Sequence, residues 1–249
     1  MLNKNTRVSS AVGVCARNCF KPSYLRAMGR ASLDWKFRLD SAINEVPVGD
    51  LIDGSSQPIQ LLLGKSDVGD TPIIDMVAVC SLVRSINPVH AFEFGTFTGN
   101  AALHIAMNAP ALLQLVTIDL APATRDKIPG LDWESTIDDR IIGTKFKGTD
   151  HAAKIKQVFA DSRSFDVTPY FGQMDFVWVD ACHEYDFVVS DSAKALQMVT
   201  PDGVVAWHDY SRAFPGVVRY INELATKRDI FWIAGTQVVF CRGRRGSNK

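Results

Sequence analysis

The sequence lacks an excess of charge of either sign. Lysine plus arginine and aspartate plus glutamate each number 27, so the formal net charge is zero. Nucleic-acid binders draw much of their affinity from phosphate contacts and carry a basic face for that purpose. The balance of charge therefore argues against nucleic acid as a partner.

A long apolar run is also absent. No stretch approaches the ~20 apolar residues that cross a bilayer, so we expect no membrane association. The first 33 residues contain no acidic residue, which is compatible with an exposed basic arm or with a transit peptide. We favour the arm, and we expect a cytoplasmic protein.

Cysteine is scarce and odd in number, which disfavours a disulfide framework. The apolar surroundings of three of the thiols indicate core residues in a reducing compartment. The N-terminal pair has no second Cys/His pair at zinc spacing, so a metal knuckle is not expected. The five are Cys15, Cys19, Cys80, Cys182 and Cys241.

The chain of 249 residues is long for one average domain and short for two. We predict an N-terminal extension, partly helical or mobile, over residues 1–70 and one domain over residues 71–249. A helix over residues 32–46 fits a cap at Ser32. This helix would cover an acceptor pocket or form a contact in a homodimer.

Short apolar runs alternate with helical stretches from residue 71 onwards. Thr71 is predicted to cap the first helix, and Asn87-Pro88 to end it. Near-continuous apolar strands between helices indicate βαβ units in a mostly parallel sheet, and the closing pair, joined by Gly235-Thr236, must be antiparallel. The predicted fold is α/β and doubly wound. Residues 121–150 look like an insertion. The predicted strands are 89–94, 115–118, 155–159, 174–179, 204–207, 230–234 and 237–242.

Ligands of such sheets bind beyond the carboxyl ends of the strands. The first strand runs into Glu93-Phe-Gly95-Thr-Phe97-Thr-Gly99-Asn100 and then a helix. The two glycines allow a tight turn and close approach of a ligand. Phe97 replaces the second glycine of a dinucleotide-binding turn and would obstruct a pyrophosphate. The turn instead suits a ligand that has an ammonium and a carboxylate.

Acidic residues follow the later strands. Asp119, at the end of the second strand, is placed to accept hydrogen bonds from ribose hydroxyls. Asp161-Ser162, after the third strand, either contacts an adenine edge or caps the next turn.

Two further strands each deliver an acid and a histidine to the same edge. Asp180 and His183 follow one strand, and His208 and Asp209 follow the next. Such a cluster suits a divalent cation on the carboxylates or a histidine general base. Alternatively, a histidine here caps a helix or binds a backbone carbonyl.

The order of these motifs, with the terminal hairpin, resembles the class I S-adenosylmethionine-dependent methyltransferases. The segments FEFGTFTGNAALHIA, VDACHEYDFVVSDSAKAL and PDGVVAWHDY are most similar to the small-molecule O-methyltransferase-like group known as methyltransferase family 24. The resemblance covers roughly residues 71–242. It implies a Rossmann-like, seven-stranded sheet with one antiparallel strand near the C-terminus.

The resemblance also implies S-adenosylmethionine as cofactor and a small-molecule acceptor, methylated on oxygen. The methionine end would lie at the glycine turn, the ribose at Asp119 and the adenine near Asp161. The predicted cofactor-binding residues are Glu93, Gly95, Thr96, Gly99, Asn100, Asp119, Asp161, Ser162 and Asp180.

In catechol O-methyltransferase-type relatives, two acids and an Asn bind magnesium. Asp180 and Asp209 match the acids and are the predicted metal ligands, but Tyr210 stands in place of the Asn. His183 stands where those relatives have a catalytic lysine. The predicted catalytic residues are His183 as base, with Asp180 and His208.

Two rival functions remain open at this point. An oxygenase would use His183, His208 and Asp209 as a facial triad for iron. A cofactor-binding module without catalysis would explain the missing Asn. A nicotinamide oxidoreductase is disfavoured by Phe97.

Overall fold

The computed structural model describes residues 43–51, 58–63, 70–121 and 142–243. The chain divides into two units, Met1–Ser41 with Ser211–Ala213, and Ala42–Tyr210 with Phe214–Lys249. Only residues 211–213, a bend and turn, are described for the first unit. The fold below is that of the second unit. No helix in the described ranges is long and apolar enough to cross a membrane.

Eight strands of the described residues form one sheet in the order β1-β7-β8-β6-β5-β2-β3-β4. β8 runs antiparallel to both of its neighbours, and the other pairs are parallel. The α/β class and the antiparallel strand near the C-terminus are therefore confirmed. The strands are β1 (Asn44–Val46), β2 (His90–Phe94), β3 (Gln114–Asp119), β4 (Ile155–Phe159), β5 (Met174–Val179), β6 (Val199–Trp207), β7 (Phe231–Ile233) and β8 (Val239–Arg242).

The predicted count of seven strands is too low by one, because β1 pairs in parallel with β7 at the edge of the sheet. The predicted helix over residues 32–46 is wrong for residues 43–46, which form a bend and β1, and residues 32–42 lie outside the described residues. Both misses have one cause. Asn-Glu-Val has no apolar alternation, and β1 is largely exposed, so pairing with β7 decides its conformation. The domain boundary at residue 70 stays a prediction.

Helices cover the two faces of the sheet. α1 packs against α2, and α3 packs against α4. Ala91 and Ala206 belong to the core cluster that contains α1 and α2. The neighbouring Trp207 points the other way, and its Nε1 donates to Ser192 in α3 at 2.9 Å. This alternation explains why the strands read as continuous apolar runs. The helices are α1 (Ile73–Ile86), α2 (Asn100–Asn108), α3 (Tyr185–Met198) and α4 (Pro215–Ala225).

The start of α1 departs from the prediction by one residue. Pro72 is the N-cap, and no side-chain hydrogen bond caps the helix there. The Thr71 hydroxyl instead lies 3.4 Å from Oδ2 of Asp180. At the other end, Asn87 adopts a left-handed conformation with φ +48° and its N–H donates to Val83 O, so the predicted stop is correct. Thr71, just before α1, therefore contacts Asp180 at the end of β5 instead of capping the helix.

The remaining predictions fall partly outside the described residues. Residues 142–150 are turns, and residues 122–141 are not described. Cys80 and Cys241 are buried, as predicted for core thiols, whereas Cys182 is partly exposed and is not a core residue. Cys15 and Cys19 lie outside the described ranges.

Candidate functional site

The carboxyl ends of four adjacent strands form the edge at which the predicted site residues meet. Phe94 at the end of β2 is in register with Ile118 of β3 and Val179 of β5. Val179 is in register with Trp207 of β6. Gly95, Asp180 and His208 therefore follow neighbouring strands at the same height.

The turn after β2 has no room for side chains at its two glycines. Gly95 has φ +92°, and an added Cβ would lie 2.1 Å from the backbone oxygen of Asp180. Gly99 has φ +82°, and its added Cβ would lie 2.4 Å from the ring of Phe146. Both conformations are ones that glycine adopts without strain. The turn is therefore pressed against β5 on one side and the 142–150 segment on the other.

Asp119 holds this turn against β3. Its Oδ2 accepts the N–H of Phe97 at 2.8 Å, and its Oδ1 accepts the N–H of Leu120 at 2.7 Å. Phe97 has φ +43°, one of three positive values at non-glycine residues in the described part. Asp119 therefore fixes the backbone on both sides of the strand end.

Glu93 lies beneath the turn and is fully buried. Its Oε2 accepts the Thr117 hydroxyl at 2.5 Å, and that hydroxyl lies 2.7 Å from Thr96 Oγ1. Its Oε1 is buried without a hydrogen-bond partner among the described residues. Burial raises the pKa of Glu93 well above its usual value, and the charges of Asp180 and Asp119 add to the rise. A buried carboxyl oxygen without a hydrogen-bond partner is a fit for a polar ligand group or a bound water.

Asp161 and Ser162 lie in a turn that Lys194 of α3 supports. The Lys194 ammonium donates to the carbonyl oxygens of Ser162, Arg163 and Phe165. Arg163 pairs with Asp161 at 2.9 Å, and this hydrogen bond lowers the pKa of Asp161. The Asp161 carboxylate is thus occupied locally, while Lys194 fixes the backbone of the turn.

The predicted cluster of two acids and two histidines is present. Nε2 of His183 lies 2.6 Å from Oδ2 of Asp209. Nδ1 of His208 lies 3.2 Å from Oδ1 of Asp180 and 3.3 Å from Oδ1 of Asp209. Asp209 has φ +60°, a conformation that is costly outside glycine and concentrates at functional sites.

Asp75 of α1 is a member of the cluster that we did not predict. Its Oδ2 lies 3.1 Å from Nε2 of His208, and its Oδ1 accepts the N–H of Gln237 at 2.9 Å. Asp75 is 1% exposed and shares a helical spacing with the buried residues Val79 and Leu82. A carboxylate in phase with the apolar face of a helix is a signal that sequence reading could have used.

Both ring nitrogens of His208 therefore face carboxylates. Burial alone would lower the pKa of His208, but the charges of Asp180 and Asp209 raise it well above its usual value. Burial would likewise raise the pKa of Asp209, but the charge of His208 and hydrogen bonds from both histidines lower it. His208 is thus a buried cation among carboxylates, and it is not suited to accept a proton.

His183 is the better base. It is 15% exposed in its side chain, and its ring centroid lies 4.2 Å from that of Phe214. Because Nε2 faces Asp209, the carboxylate favours the tautomer with the proton on Nε2. Nδ1, which is a buried atom, is then the nitrogen that takes up a proton, whereas in the serine-protease triad the carboxylate faces Nδ1 and Nε2 takes the proton.

Asp180, His183 and Asp209 also offer one ligand atom each, all within 4.8 Å of one another. Two carboxylates and an imidazole are a reasonable donor set for a divalent cation. Tyr210 does not extend this set, because its hydroxyl donates to Asn222 Oδ1 at 2.7 Å.

The sheet order defines a Rossmann-like α/β domain, and the candidate site residues lie at the strand ends. Residues 92–210 match the family model Methyltransf_24, described as a methyltransferase domain. The predicted resemblance to class I S-adenosylmethionine-dependent methyltransferases is confirmed.

Solved structures share the fold. An S-adenosylhomocysteine-bound methyltransferase from Podospora anserina, PaMTH1, is 12% identical, with 72% of this chain and 81% of that chain covered and a TM-score of 0.51. A putative caffeoyl-CoA O-methyltransferase from Staphylococcus aureus is 12% identical, with 71% and 88% covered and a TM-score of 0.53. A search of curated proteins found no match.

Proposed function

We propose that this chain binds S-adenosylmethionine at the turn after β2 and transfers its methyl group to an oxygen of a small-molecule acceptor. One observation carries the proposal. The carboxylate–histidine pair Asp209–His183 lies beside a glycine turn, in a domain that matches a methyltransferase family model. An acceptor and a methyl donor would meet at this edge of the sheet.

The cofactor side of the proposal uses the predicted residues. Glu93, with an unpartnered buried oxygen, and the tight turn at Gly95 and Gly99 suit the amino-acid end of the cofactor. The position of Asp119 at the end of β3, beside the glycine turn, suits the ribose. The turn that Lys194 supports suits the adenine. Thr96, Asn100, Ser162 and Asp180 complete the proposed set.

His183 is the proposed general base. S-adenosylmethionine supplies a sulfonium methyl group, to which the acceptor oxygen bonds while the carbon–sulfur bond breaks and its electron pair stays on sulfur. Nδ1 of His183 takes the acceptor proton, and Asp209 stabilises the imidazolium that forms. Alignment of donor and acceptor by the strand ends contributes the larger part of the rate enhancement.

A divalent cation is a second arrangement of the same residues. Asp180 and Asp209 would hold it, with His183 as third ligand, and it would polarise the acceptor oxygen as a Lewis acid. The imidazole favours a transition metal such as Mn²⁺ over Mg²⁺, which prefers oxygen ligands. A ligand His183 cannot also be the base, so the two arrangements are alternatives.

The rival functions are less well supported. An iron triad of His183, His208 and Asp209 needs a lone pair on His208, and both of its nitrogens face carboxylates. A non-catalytic module would not require the hydrogen-bonded His183–Asp209 pair. A cytoplasmic location and a homodimer stay predictions from the sequence.

Titration calorimetry with S-adenosylmethionine and S-adenosylhomocysteine tests the cofactor. We expect both to bind, and binding of neither would overturn the proposal. Formation of S-adenosylhomocysteine with a panel of phenols, catechols and sugars then identifies the acceptor class. The same assay with EDTA, and with added Mg²⁺ or Mn²⁺, separates the two arrangements, because only the cation arrangement loses activity on chelation.

A further inference from the structure

Two buried polar side chains of α2 bind a segment that the proposed chemistry does not use. His104 is 2% exposed and Asn108 is 0% exposed, and they lie one helical turn apart. Buried polar groups require hydrogen-bond partners. Both residues find theirs in the backbone of residues 58–63, which we call the strap.

Asn108 binds the strap through both ends of its amide. Its Oδ1 accepts the N–H of Gln60 at 2.7 Å, and its Nδ2 donates to Gln60 O at 2.8 Å. Nδ2 also donates to His104 O at 2.8 Å and to Cys80 Sγ at 3.2 Å. The side chain therefore pairs with one strap residue much as a neighbouring strand would.

His104 binds the strap in one protonation state only. Its Nε2 lies 3.1 Å from the N–H of Leu62, which is a donor, so Nε2 must be the acceptor. Its Nδ1 then carries the proton and donates to Asn100 O at 2.8 Å. A second proton on Nε2 would replace this hydrogen bond by a contact between two donors.

The chain beyond the strap leads into the proposed cofactor site. The Asp70 carboxylate accepts the hydroxyl of Thr98 in the glycine turn at 2.6 Å and pairs with Lys145. Thr71 contacts Asp180. Anchoring the strap at Gln60 and Leu62 shortens the chain that must be ordered to place Asp70.

We propose that His104 and Asn108 are positioning residues for the cofactor site, that they act by clamping the strap to α2, and that acid opens the clamp at His104. The link to cofactor binding rests on the function proposed above. The clamp itself rests on four hydrogen bonds between α2 and the strap or within α2.

The groups around His104 leave its pKa below the usual value. Burial lowers this pKa most; the hydrogen bond to Asn100 O raises it, Lys145 of the 142–150 segment lowers it, and Asp70 raises it. On α1, burial raises the pKa of Cys80 to about 12, so that its thiol is neutral. His104 is therefore neutral at physiological pH and binds the strap there.

Amide hydrogen exchange of Leu62 tests the clamp without an activity assay. In the wild type we expect its protection factor to fall as the pH drops below the pKa of His104. H104Q supplies an acceptor that does not titrate, so its Leu62 protection should persist in acid. Equal pH dependence in the two proteins, or none in the wild type, would overturn the proposal. H151Q is the matched control and should behave as the wild type.

Cofactor kinetics test the positioning role. Releasing the strap removes the hydrogen-bonded anchor at Leu62 that precedes Asp70, and doubling the length of a closing loop corresponds to about a threefold loss of affinity. N108A should raise KM for S-adenosylmethionine about three- to tenfold and leave kcat within about twofold. An equal fall in kcat, or an unchanged KM with Leu62 unprotected, would refute a positioning role.

A strap variant covers the case in which N108A fails to fold. L62P removes the N–H donor at an exposed position and leaves α2 intact, with L63P as its matched control. L62P should raise KM as N108A does. If the wild type binds no S-adenosylmethionine, the proposed function fails while the exchange experiment still decides on the clamp.

Discussion

Nε2 of His183 lies 2.6 Å from Oδ2 of Asp209, and the other oxygen of that carboxylate lies 3.3 Å from Nδ1 of His208. One aspartate thus serves two histidines with different roles. His208 is held as a cation by carboxylates on both sides, whereas His183 keeps a nitrogen for proton transfer. Substitutions of His183 or Asp209 should therefore affect the proposed reaction most.

Replacing His183 by alanine should lower kcat by about 10²- to 10⁴-fold, the usual contribution of a general base. Affinity for S-adenosylmethionine should change little, since the glycine turn is untouched. Steady-state kinetics and calorimetry on the same preparation measure both. D209N should show a smaller loss of the same kind. Unchanged turnover in H183A would remove the base role.

Replacing Gly95 by alanine should weaken cofactor binding at least about tenfold, equivalent to 1.4 kcal/mol. The new Cβ would meet the Asp180 backbone oxygen at 2.1 Å, so β5 or the turn must move. G172A is the matched control, because Gly172 has φ +63° with nothing within 4 Å of an added Cβ. G172A should lower the free energy of unfolding by only about 1–2 kcal/mol, which is the cost of a left-handed conformation outside glycine. Equal affinities in the two variants would contradict this account.

Asp191 of α3 should make stability depend on pH. It is 1% exposed, and burial raises its pKa from 3.8 to about 7. The folded state then holds the proton more tightly than the unfolded state, so the free energy of unfolding falls as the pH rises from about 4 to about 7. D191N should remove this fall, which amounts to about 4 kcal/mol. Urea denaturation of both proteins at pH 4.5 and 8 measures it, and parallel pH profiles would count against it.

Replacing Lys194 by methionine should weaken binding of S-adenosylhomocysteine about three- to thirtyfold, because the ammonium fixes three carbonyl groups of the proposed adenine turn. The effect should appear equally with adenosine, which lacks the amino-acid end. K227M alters an exposed lysine of the same charge and should bind normally. A loss seen with S-adenosylhomocysteine but not with adenosine would move the effect away from the adenine.

Much of the fold is predictable because its strands are buried on both faces. The runs that became β2, β5 and β8 are mostly apolar, and their alternation with helices allows few topologies. β1 has neither property, since its three residues owe their conformation to β7 alone. Thr71 looks like an N-cap by type, but its hydroxyl contacts Asp180, a residue far away in the sequence.

The site is predictable to the extent that strand ends meet in space. Asp180, His183, His208 and Asp209 follow adjacent strands, and the structure brings them together. Asp75 was not predicted, because apolar periodicity identifies the helix α1 but does not single out a carboxylate on its buried face. The roles of the two histidines could not be separated in the sequence, because the difference depends on which carboxylates surround each ring.

The short β1 strand has a consequence for association between chains. An open sheet edge offers unpaired N–H and C=O groups to any other extended segment. β1 offers only Asn44–Val46 before Pro47, which has no N–H to donate. Within the described residues, β1 gives a foreign strand a template of only three residues, which is short for the stable edge-to-edge pairing that leads to fibres.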